Sequence, residues 1–385
     1  MTSTLEIQDF ALWDKMKSRR ALFSFDLELT ARCNNDCRHC CINLPANDRA
    51  AQVRELTLAE IAHIADQAVK LGAVWCLITG GEPFLREDFF DIYLCLKNKG
   101  LLVSVFTNAT LITDEHVELF KKYPPRDIEV TVYGTTREIY EKVTRTTGSY
   151  DAFMRGLNLL LKNGIKVRLK AMALRSNVDD LPQIAVFCRK RTKDYFRFDP
   201  FLHLRFDGNP KRNEEIKSER LSAEEIAAIE RADHERRRAL EKDCDRLIRP
   251  EAEQINCNHL FHCGAGNGSF CVSYDGYFRL CSSLWHPDCI YDLKKGDLTE
   301  AWENFVLKVR DMRTTRREFL RKCRKCQIIN LCIWCPAHSD LETGNLHTPV
   351  DYFCKVAHAT AKWLAGRWVQ QITWNQGSHK GRHIG

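Results

Sequence analysis

Three cysteines near the start of the chain, Cys33, Cys37 and Cys40, stand in the stretch CNNDCRHC. Their thiolates can hold three corners of a [4Fe–4S] cube, because cysteine sulfur is the ligand that such clusters require. This stretch has no fourth cysteine at the usual spacing, so one iron keeps an open position at which chemistry can occur. A zinc knuckle or a disulfide cluster is the alternative interpretation, although zinc prefers four ligands. Cys41 follows directly, and we interpret it as a buried bystander.

The composition is that of a globular protein with many thiols. The 385 residues, 44% hydrophobic and 28% charged, suffice for one large domain and a smaller one. No apolar run approaches the roughly 20 residues of a membrane helix, and the N-terminus lacks the apolar stretch of a secretion signal. We therefore expect a cytoplasmic protein without a membrane partner. Thiols stay reduced in that compartment, so the 18 cysteines favour metal binding over disulfides.

The net charge of +7 allows a nucleic-acid partner, but the basic residues have a second explanation. A cysteine-ligated cluster is anionic, and neighbouring lysines and arginines offset its charge. Basic residues at positions 321, 322, 324 and 325 flank Cys323 and Cys326. We therefore expect charge compensation rather than RNA binding.

Short apolar runs alternate with amphipathic segments from residue 25 to about residue 205. The predicted strands are Phe25–Thr30, Val74–Thr79, Leu101–Thr107, Asp127–Tyr133, Val167–Leu174 and Tyr195–Leu204. Thr57 and Glu60 form a capping box at the start of one intervening helix, and Gly72 suits its end. Such repetition implies an α/β fold of parallel strands with right-handed crossovers. Six units are fewer than the eight that close a TIM barrel, and sites are expected at the carboxyl ends of the strands.

Glycine and polar residues follow several of these strands. The sequence TGGEP, at Thr79–Pro83, follows the second strand, where glycines let backbone groups approach a ligand closely. By itself GGEP fits any strand-to-helix turn. Asn108 follows the third strand and Thr131 lies near the end of the fourth. Arg145, in YEKVTRTTGSY, fits a solvated helix end as well as a binding site.

The cysteine stretch, followed by GGEP after the next strand, resembles the radical S-adenosylmethionine (SAM) superfamily. The resemblance implies a partial (β/α)6 TIM-like barrel, in which SAM chelates the open iron of the cluster. It implies that GGEP and Glu82 contact the methionyl amino group, Thr131 the ribose and Arg145 the carboxylate. His39 stands where the family usually has an aromatic residue. The complete set of implied SAM contacts is His39, Gly80, Gly81, Glu82, Asn108, Thr131 and Arg145.

A second group of cysteines begins at Cys257 and includes the segment CRKCQIINLCIWC. On spacing alone a double zinc site could use eight such thiolates. Together with the first motif, the pattern resembles a SPASM domain, which holds two auxiliary [4Fe–4S] clusters and brings the expected total to three. The implied ligands are Cys257, Cys263, Cys281 and Cys335 for the nearer cluster, and Cys323, Cys326, Cys332 and Cys354 for the farther one. Two residues separate Cys332 from Cys335, where three are more usual.

Cys271 and Cys289 are left over. We interpret them as buried small hydrophobic residues, with ligand replacement or contact with the substrate as alternatives. The predicted organisation is a lead-in (1–23), a radical SAM barrel (24–205), a charged helical bridge (206–255), a SPASM domain (256–358) and a C-terminal helix with a disordered tail (359–385). The bridge is predicted to hold one exposed helix from Ala223 to about Leu240, begun by a capping box of Ser222 and Glu225.

The resemblance implies an oxidoreductase or maturase that reductively cleaves SAM to a 5′-deoxyadenosyl radical. The radical would abstract hydrogen from a peptide or protein substrate, giving a crosslink or an oxidised side chain. A flavodoxin- or ferredoxin-like donor would supply electrons. The lead-in is too short for a peptide-recognition module, which argues against leader-dependent peptide binding unless a separate protein supplies the recognition. Ser282 stands where sulfatase-maturing relatives have an aspartate base, and no general base stands out. The alternatives are an enzyme acting on a tetrapyrrole or a sugar, and a non-enzymatic zinc- or RNA-binding protein.

Overall fold

A computed structural model describes residues 20–194, 196–248 and 258–364, without the side chains of residues 245 and 246. The described residues group into two units. The barrel unit comprises residues 20–221, 258–316 and 335–348, and the helical unit comprises residues 222–248, 317–334 and 349–364. The predicted lead-in up to residue 19, Tyr195, Cys257 and the tail from residue 365 lie outside the described residues.

The barrel unit is built on one sheet of nine strands, in the order β11-β10-β9-β1-β4-β5-β6-β7-β8. Its strands are β1 (Ser24–Glu28), β4 (Trp75–Thr79), β5 (Leu102–Thr107), β6 (Asp127–Val132), β7 (Val167–Met172), β8 (Arg197–Asp199), β9 (Ser269–Val272), β10 (Tyr277–Arg279) and β11 (Ile290–Asp292). Two short strands, β2 (Arg32–Cys33) and β3 (Leu44–Pro45), pair with each other in a separate sheet. Strands β1 and β4 to β8 pair in parallel, each with the next. This arrangement confirms the predicted α/β class of a partial TIM-like barrel.

Helices connect the parallel strands and form most of the helical unit. They are α1 (Arg49–Arg54), α2 (Leu58–Lys70), α3 (Phe89–Asn98), α4 (Asp114–Lys122), α5 (Arg137–Thr144), α6 (Ser149–Lys162), α7 (Leu181–Arg191), α8 (Pro210–Glu219), α9 (Ala223–Ala232), α10 (His234–Lys242), α11 (Cys244–Leu247), α12 (Leu298–Glu300), α13 (Val306–Arg310), α14 (Arg317–Lys322), α15 (Pro336–Thr343) and α16 (Asp351–Leu364). The predicted capping boxes at Thr57 and Ser222 are present. Within the described ranges, no helix combines the length and apolar character that a membrane crossing requires.

Alternation along the strands separates the core from the inside of the barrel. In β4, Cys76 and Ile78 are buried in the core, whereas Leu77 and Thr79 line a cavity. Successive side chains of a strand point to opposite faces, so a strand can supply the core and the cavity at once. The same rule places Asp26 and Glu28 of β1 together on the cavity side.

The segment after residue 258 extends the barrel sheet, which the sequence did not reveal. Strand β9 pairs in parallel with β1, and β10 and β11 continue the sheet in antiparallel pairing. The rings of Phe25 and Phe270 stack with their centroids 5.5 Å apart across the new pair. The pairing also sets Cys271 opposite Asp26, which brings a C-terminal thiol to the inside of the barrel.

The prediction of one exposed helix from Ala223 to Leu240 is wrong in two respects. The helix ends at Ala232, because Asp233 has extended backbone and its side chain accepts a hydrogen bond from Arg236 N, starting α10. Helix α9 packs against α16, with Ile226 and Glu230 buried. The apolar face that the charge pattern concealed therefore belongs to the core of the helical unit.

Candidate metal and cofactor site

The segment Cys33–Cys40, called the cysteine loop below, follows β1 and places three thiols close enough for their charges to interact. Burial raises the pKa of Cys33 to about 12, and the negative charge of Glu82 adds to the shift. Burial also raises the pKa of Cys37, and the negative charges of Cys40 and Cys33 raise it further. Such thiols stay protonated until metal ions supply positive charge and take the thiolates as ligands. The donor set therefore fits an iron–sulfur cluster in kind and in number.

No three Asp, Glu, His or Cys side chains in the described part of the chain are grouped to hold one metal ion. In a [4Fe–4S] cube each thiolate binds a different iron, so its ligands stand further apart than those of a single ion.

The GGEP turn is bonded directly to the backbone that leads into Cys33. Gly81 N donates to Thr30 O at 2.6 Å, and Glu82 N donates to Arg32 O at 2.8 Å. A Cβ on Gly80 would lie 2.3 Å from Thr30 O, and one on Gly81 would lie 2.1 Å from Arg32 O. Only glycine permits this approach, which sets the turn beside the cysteine loop.

Glu82 is fully buried, and its carboxylate braces the turn against the end of β5. It accepts hydrogen bonds from Thr107 Oγ1 and Asn108 N, both at 2.8 Å, and from Phe84 N at 3.2 Å. Burial raises its pKa to about 7, and these donors oppose the shift. Both carboxylate oxygens have protein donors, so the geometry gives Glu82 a positioning role. Its contact with SAM stays a prediction.

Asn108 connects β5 to the cysteine loop. Its Nδ2 atom donates to Asn34 Oδ1 at 3.0 Å and lies 3.8 Å from Cys33 Sγ. Its Oδ1 atom accepts from Thr110 N at 2.9 Å, which fixes the side chain. The structure therefore brings this predicted pocket residue to a predicted cluster ligand.

Arg145 holds the cysteine loop from the end of α5. Its Nε donates to Asp36 O at 2.7 Å, and its two terminal nitrogens pair with Asp36 at 2.8 Å and Glu215 at 3.0 Å. Arg212, which the sequence did not single out, donates to Cys37 O at 2.9 Å and pairs with Glu215 at 2.7 Å. The sequence signal that could have indicated such a basic partner was Asp36, an acidic residue between the predicted ligands Cys33 and Cys37. The implied contact of Arg145 with the SAM carboxylate stays a prediction.

His39 lies against Tyr133, with ring centroids 5.2 Å apart. Burial lowers its pKa to about 4, so the ring is neutral, and its Nδ1 is buried without a hydrogen-bond partner. Thr131 lies near the carboxyl end of β6, two positions before Tyr133. His39, at the family's aromatic position, thus lies on the cysteine loop. Thr131, the predicted ribose contact, lies on β6.

Comparison with known proteins decides the family. Residues 27–188, which include the cysteine loop and GGEP, match the model of the Radical SAM superfamily. Residues 27–188 are therefore a radical SAM domain. Members of this family depend on a [4Fe–4S] cluster and SAM, and the loop described above is where this chain carries the matching cysteines.

Relatives and solved structures resemble the chain over most of its length. An AdoMet-dependent heme synthase of Methanosarcina barkeri is 25% identical over 83% of this chain and 92% of its own. An Fe-coproporphyrin III synthase of the same organism is 26% identical over 79% of this chain and 80% of its own. Streptococcus suis SuiB, solved with its precursor peptide SuiA, covers 89% of this chain and 78% of its own at TM-score 0.66 and 17% identity. That last likeness concerns the fold.

The C-terminal cysteines are divided between the two units. Cys263, Cys281 and Cys335 lie in the barrel unit. Burial raises the pKa of Cys335 to about 12, and the charges of Cys281 and Cys263 contribute. Their fourth predicted partner, Cys257, lies outside the described residues.

The other set lies wholly in the helical unit. Cys323, Cys326, Cys332 and Cys354 line a cavity of about 240 Å³ together with Trp334. Burial raises the pKa of Cys323 to about 12, and the negative charges of Cys332, Cys326 and Cys354 contribute to the increase. Four thiols around one cavity are the donor set of a cluster without an open iron.

A second cavity, of about 230 Å³, lies inside the barrel unit. It is bordered by Gly80 of the GGEP turn, by Cys41 beside the predicted ligand Cys40, and by Ser282 beside Cys281. Cys271 lies on its wall, with Arg279 Nη2 3.4 Å from its sulfur, whereas Cys289 is buried against Met312. This cavity, called the barrel cavity below, adjoins the GGEP turn. It is the candidate position for a substrate.

Replacing Gly81 with alanine should disrupt this site, because the new Cβ meets the Arg32 carbonyl at 2.1 Å. We expect SAM affinity to fall at least about tenfold and the free energy of unfolding to fall by about 1–3 kcal/mol. Gly268→Ala is the matched control, since its Cβ would lie 3.5 Å from Ala21 O in ordinary contact. Equal SAM affinity in both variants, measured by titration of the reconstituted proteins, would contradict the geometry.

Replacing Arg145 with glutamine should loosen the cysteine loop. Charge-assisted hydrogen bonds to Asp36 are lost, and we expect iron to leave the first cluster about tenfold faster under a chelator. Arg137→Gln removes a comparable pair with Asp151 on an exposed surface and should leave the rate unchanged. The decay of cluster absorbance measures both rates, and identical decay would show that Arg145 does not hold the loop.

Proposed function

We propose that this radical SAM enzyme abstracts hydrogen from a side chain of a peptide or protein, giving a crosslink or an oxidised residue. When bound, the cluster and SAM supply the 5′-deoxyadenosyl radical. The chain itself holds the cofactor with the cysteine loop, GGEP, His39, Asn108, Thr131 and Arg145. It also excludes water from the barrel cavity and positions one C–H bond there.

The barrel cavity is the observation that carries this proposal. Its volume of about 230 Å³ lies below the roughly 300–1,000 Å³ of pockets that enclose drug-sized ligands. A single amino-acid side chain fits such a space, whereas a macrocycle does not. The cavity borders Gly80, so a side chain inside it would lie next to the SAM motif.

The C-terminal cysteines complete the proposal. Two auxiliary [4Fe–4S] clusters, each with four thiolates, would have no open iron and would act by electron transfer. One would use Cys263, Cys281 and Cys335 with Cys257, and the other the four thiols of the helical unit. They would take the electron that a substrate radical loses, so the overall change is an oxidation. A flavodoxin- or ferredoxin-like protein would supply electrons for SAM cleavage, and a separate protein could present the peptide.

A second candidate substrate is a tetrapyrrole, as the names of the two Methanosarcina barkeri relatives indicate. Their similarity extends over most of both chains, but their identity of 25–26% leaves the substrate open. A coproporphyrin carries several carboxylates on a large ring, and the barrel cavity would have to widen to admit it.

Deuterium transfer separates the two substrates. The anaerobically reconstituted protein, with about twelve irons per chain and little zinc, is mixed with SAM, a reductant and peptides bearing deuterated side chains. We expect deuterium in the released 5′-deoxyadenosine, detected by mass spectrometry. Iron coproporphyrin should remain unchanged in the parallel reaction. Its consumption, with no deuterium transfer from any peptide, would replace the peptide proposal with the tetrapyrrole one.

A further inference from the structure

We propose that the barrel cavity binds a positively charged nitrogen of the substrate, such as a lysine ammonium or an arginine guanidinium. The proposal rests on the proposed function, which assigns this cavity to the substrate, and it adds the chemical class of the group that enters. It is carried by the charges and unpaired polar atoms of the cavity wall.

Two carboxyl groups, those of Asp26 and Glu28, line the cavity from the same face of β1. Glu28 is compensated, because Arg279 Nη2 lies 2.7 Å from its Oε2 and both side chains are almost fully buried. Asp26 is different: in the described part of the chain no hydrogen bond or ion pair reaches it. The cavity therefore carries one acidic group without a partner.

The surroundings of Asp26 keep its negative charge uncompensated. Burial raises its pKa to about 6, the charge of Glu28 raises it further, and Arg279 opposes the shift only in part. The carboxyl group is therefore mostly ionised at neutral pH, at a cost that a bound cation would remove. A carboxylate ligand would increase the repulsion instead.

Other residues of the cavity wall suit the rest of such a ligand. Trp285 and Phe206 stack with centroids 4.1 Å apart and add apolar area to the cavity wall, and the Arg279 guanidinium lies 3.7 Å from the centroid of the Trp285 ring. His203 also lines the cavity, and its Nδ1 is buried without a hydrogen-bond partner. Burial lowers the pKa of His203 to about 4, so the neutral ring can accept an N–H from a cationic nitrogen.

These features together select a long side chain that ends in a cation. Lysine and arginine combine an apolar stem with a charged nitrogen and match a cavity of this size. A propionate-bearing ring would place a carboxylate beside Asp26 and lacks a cation to offset it. The inference therefore also favours a peptide over a tetrapyrrole as the substrate.

Binding of butylammonium and butyrate to the reconstituted full chain in the presence of SAM tests this directly. The two probes have the same stem and opposite charge, and ligand-observed NMR titration measures both. We expect butylammonium to bind at least about tenfold more tightly than butyrate, and Asp26→Asn to remove that preference. Asp91→Asn, on the exposed surface of α3, should keep it.

Butyrate binding as tightly as butylammonium, or an unchanged preference in Asp26→Asn, would overturn the proposal. The wild-type comparison stands even if the variant fails to fold. Because binding is measured without turnover, its failure is distinct from a failure of SAM cleavage by the wild-type chain, which would refute the proposed function instead.

Discussion

Replacing Cys33, Cys37 and Cys40 with alanine should abolish the formation of 5′-deoxyadenosine. The three thiols are the donor set of the cysteine loop, and the GGEP turn is bonded to the same backbone at Thr30 and Arg32. Without the thiols no cluster is held beside that turn, so SAM is not reduced. Iron should fall from about twelve to about eight atoms per chain, because the C-terminal cysteines remain.

Chromatography of the reaction with reductant and SAM measures this loss, and iron analysis measures the cluster count. Cys95→Ala is the control, since Cys95 is a half-buried residue of α3 outside all the predicted ligand sets. Continued SAM cleavage by the triple variant would refute the assignment of the first cluster. Loss of all iron would show instead that the three clusters do not bind independently.

Replacing Cys323 and Cys326 with alanine should have the opposite pattern. SAM cleavage should remain largely intact, because the cysteine loop and the GGEP turn lie in the barrel unit, whereas both cysteines belong to the helical unit. Formation of the oxidised product should stop, since the cluster that would accept the substrate's electron is gone. Iron should again fall to about eight atoms per chain.

The product and 5′-deoxyadenosine are quantified in the same reaction once a substrate is known. Cys244→Ala provides the control, because Cys244 packs against the core of the helical unit but is not a predicted ligand. A variant that lacks the cluster and still makes normal amounts of product would show that this cluster is not a redox partner.

Local patterns predicted much of the fold. The capping boxes at Thr57 and Ser222 and the six parallel strands appear where the sequence placed them, because caps and strand periodicity depend on residues close in the chain. Strands β9 to β11 were missed because they are only three or four residues long, and because β9 joins the sheet through β1, which is distant in sequence. The break at Asp233 was missed because the charged residues around it suit a continuous helix.

The site was predicted in part for the same reason. Cysteine spacing predicted the ligand sets, and the described cysteines of each set lie in one unit. What spacing could not supply was the partners, such as Arg212 against the Cys37 carbonyl and Glu215 against Arg145. The acidic residues of the barrel cavity did leave a signal in FDLELT, where Asp26 and Glu28 alternate with apolar residues in a strand buried on its other face.

The central claim is that the cysteine loop holds a cluster whose open iron takes SAM. Its most direct test is the release of 5′-deoxyadenosine and methionine from SAM by the reconstituted wild-type chain under reductant, measured by mass spectrometry. We expect release that requires both iron and reductant. A chain that carries its full iron content and releases no 5′-deoxyadenosine would contradict it.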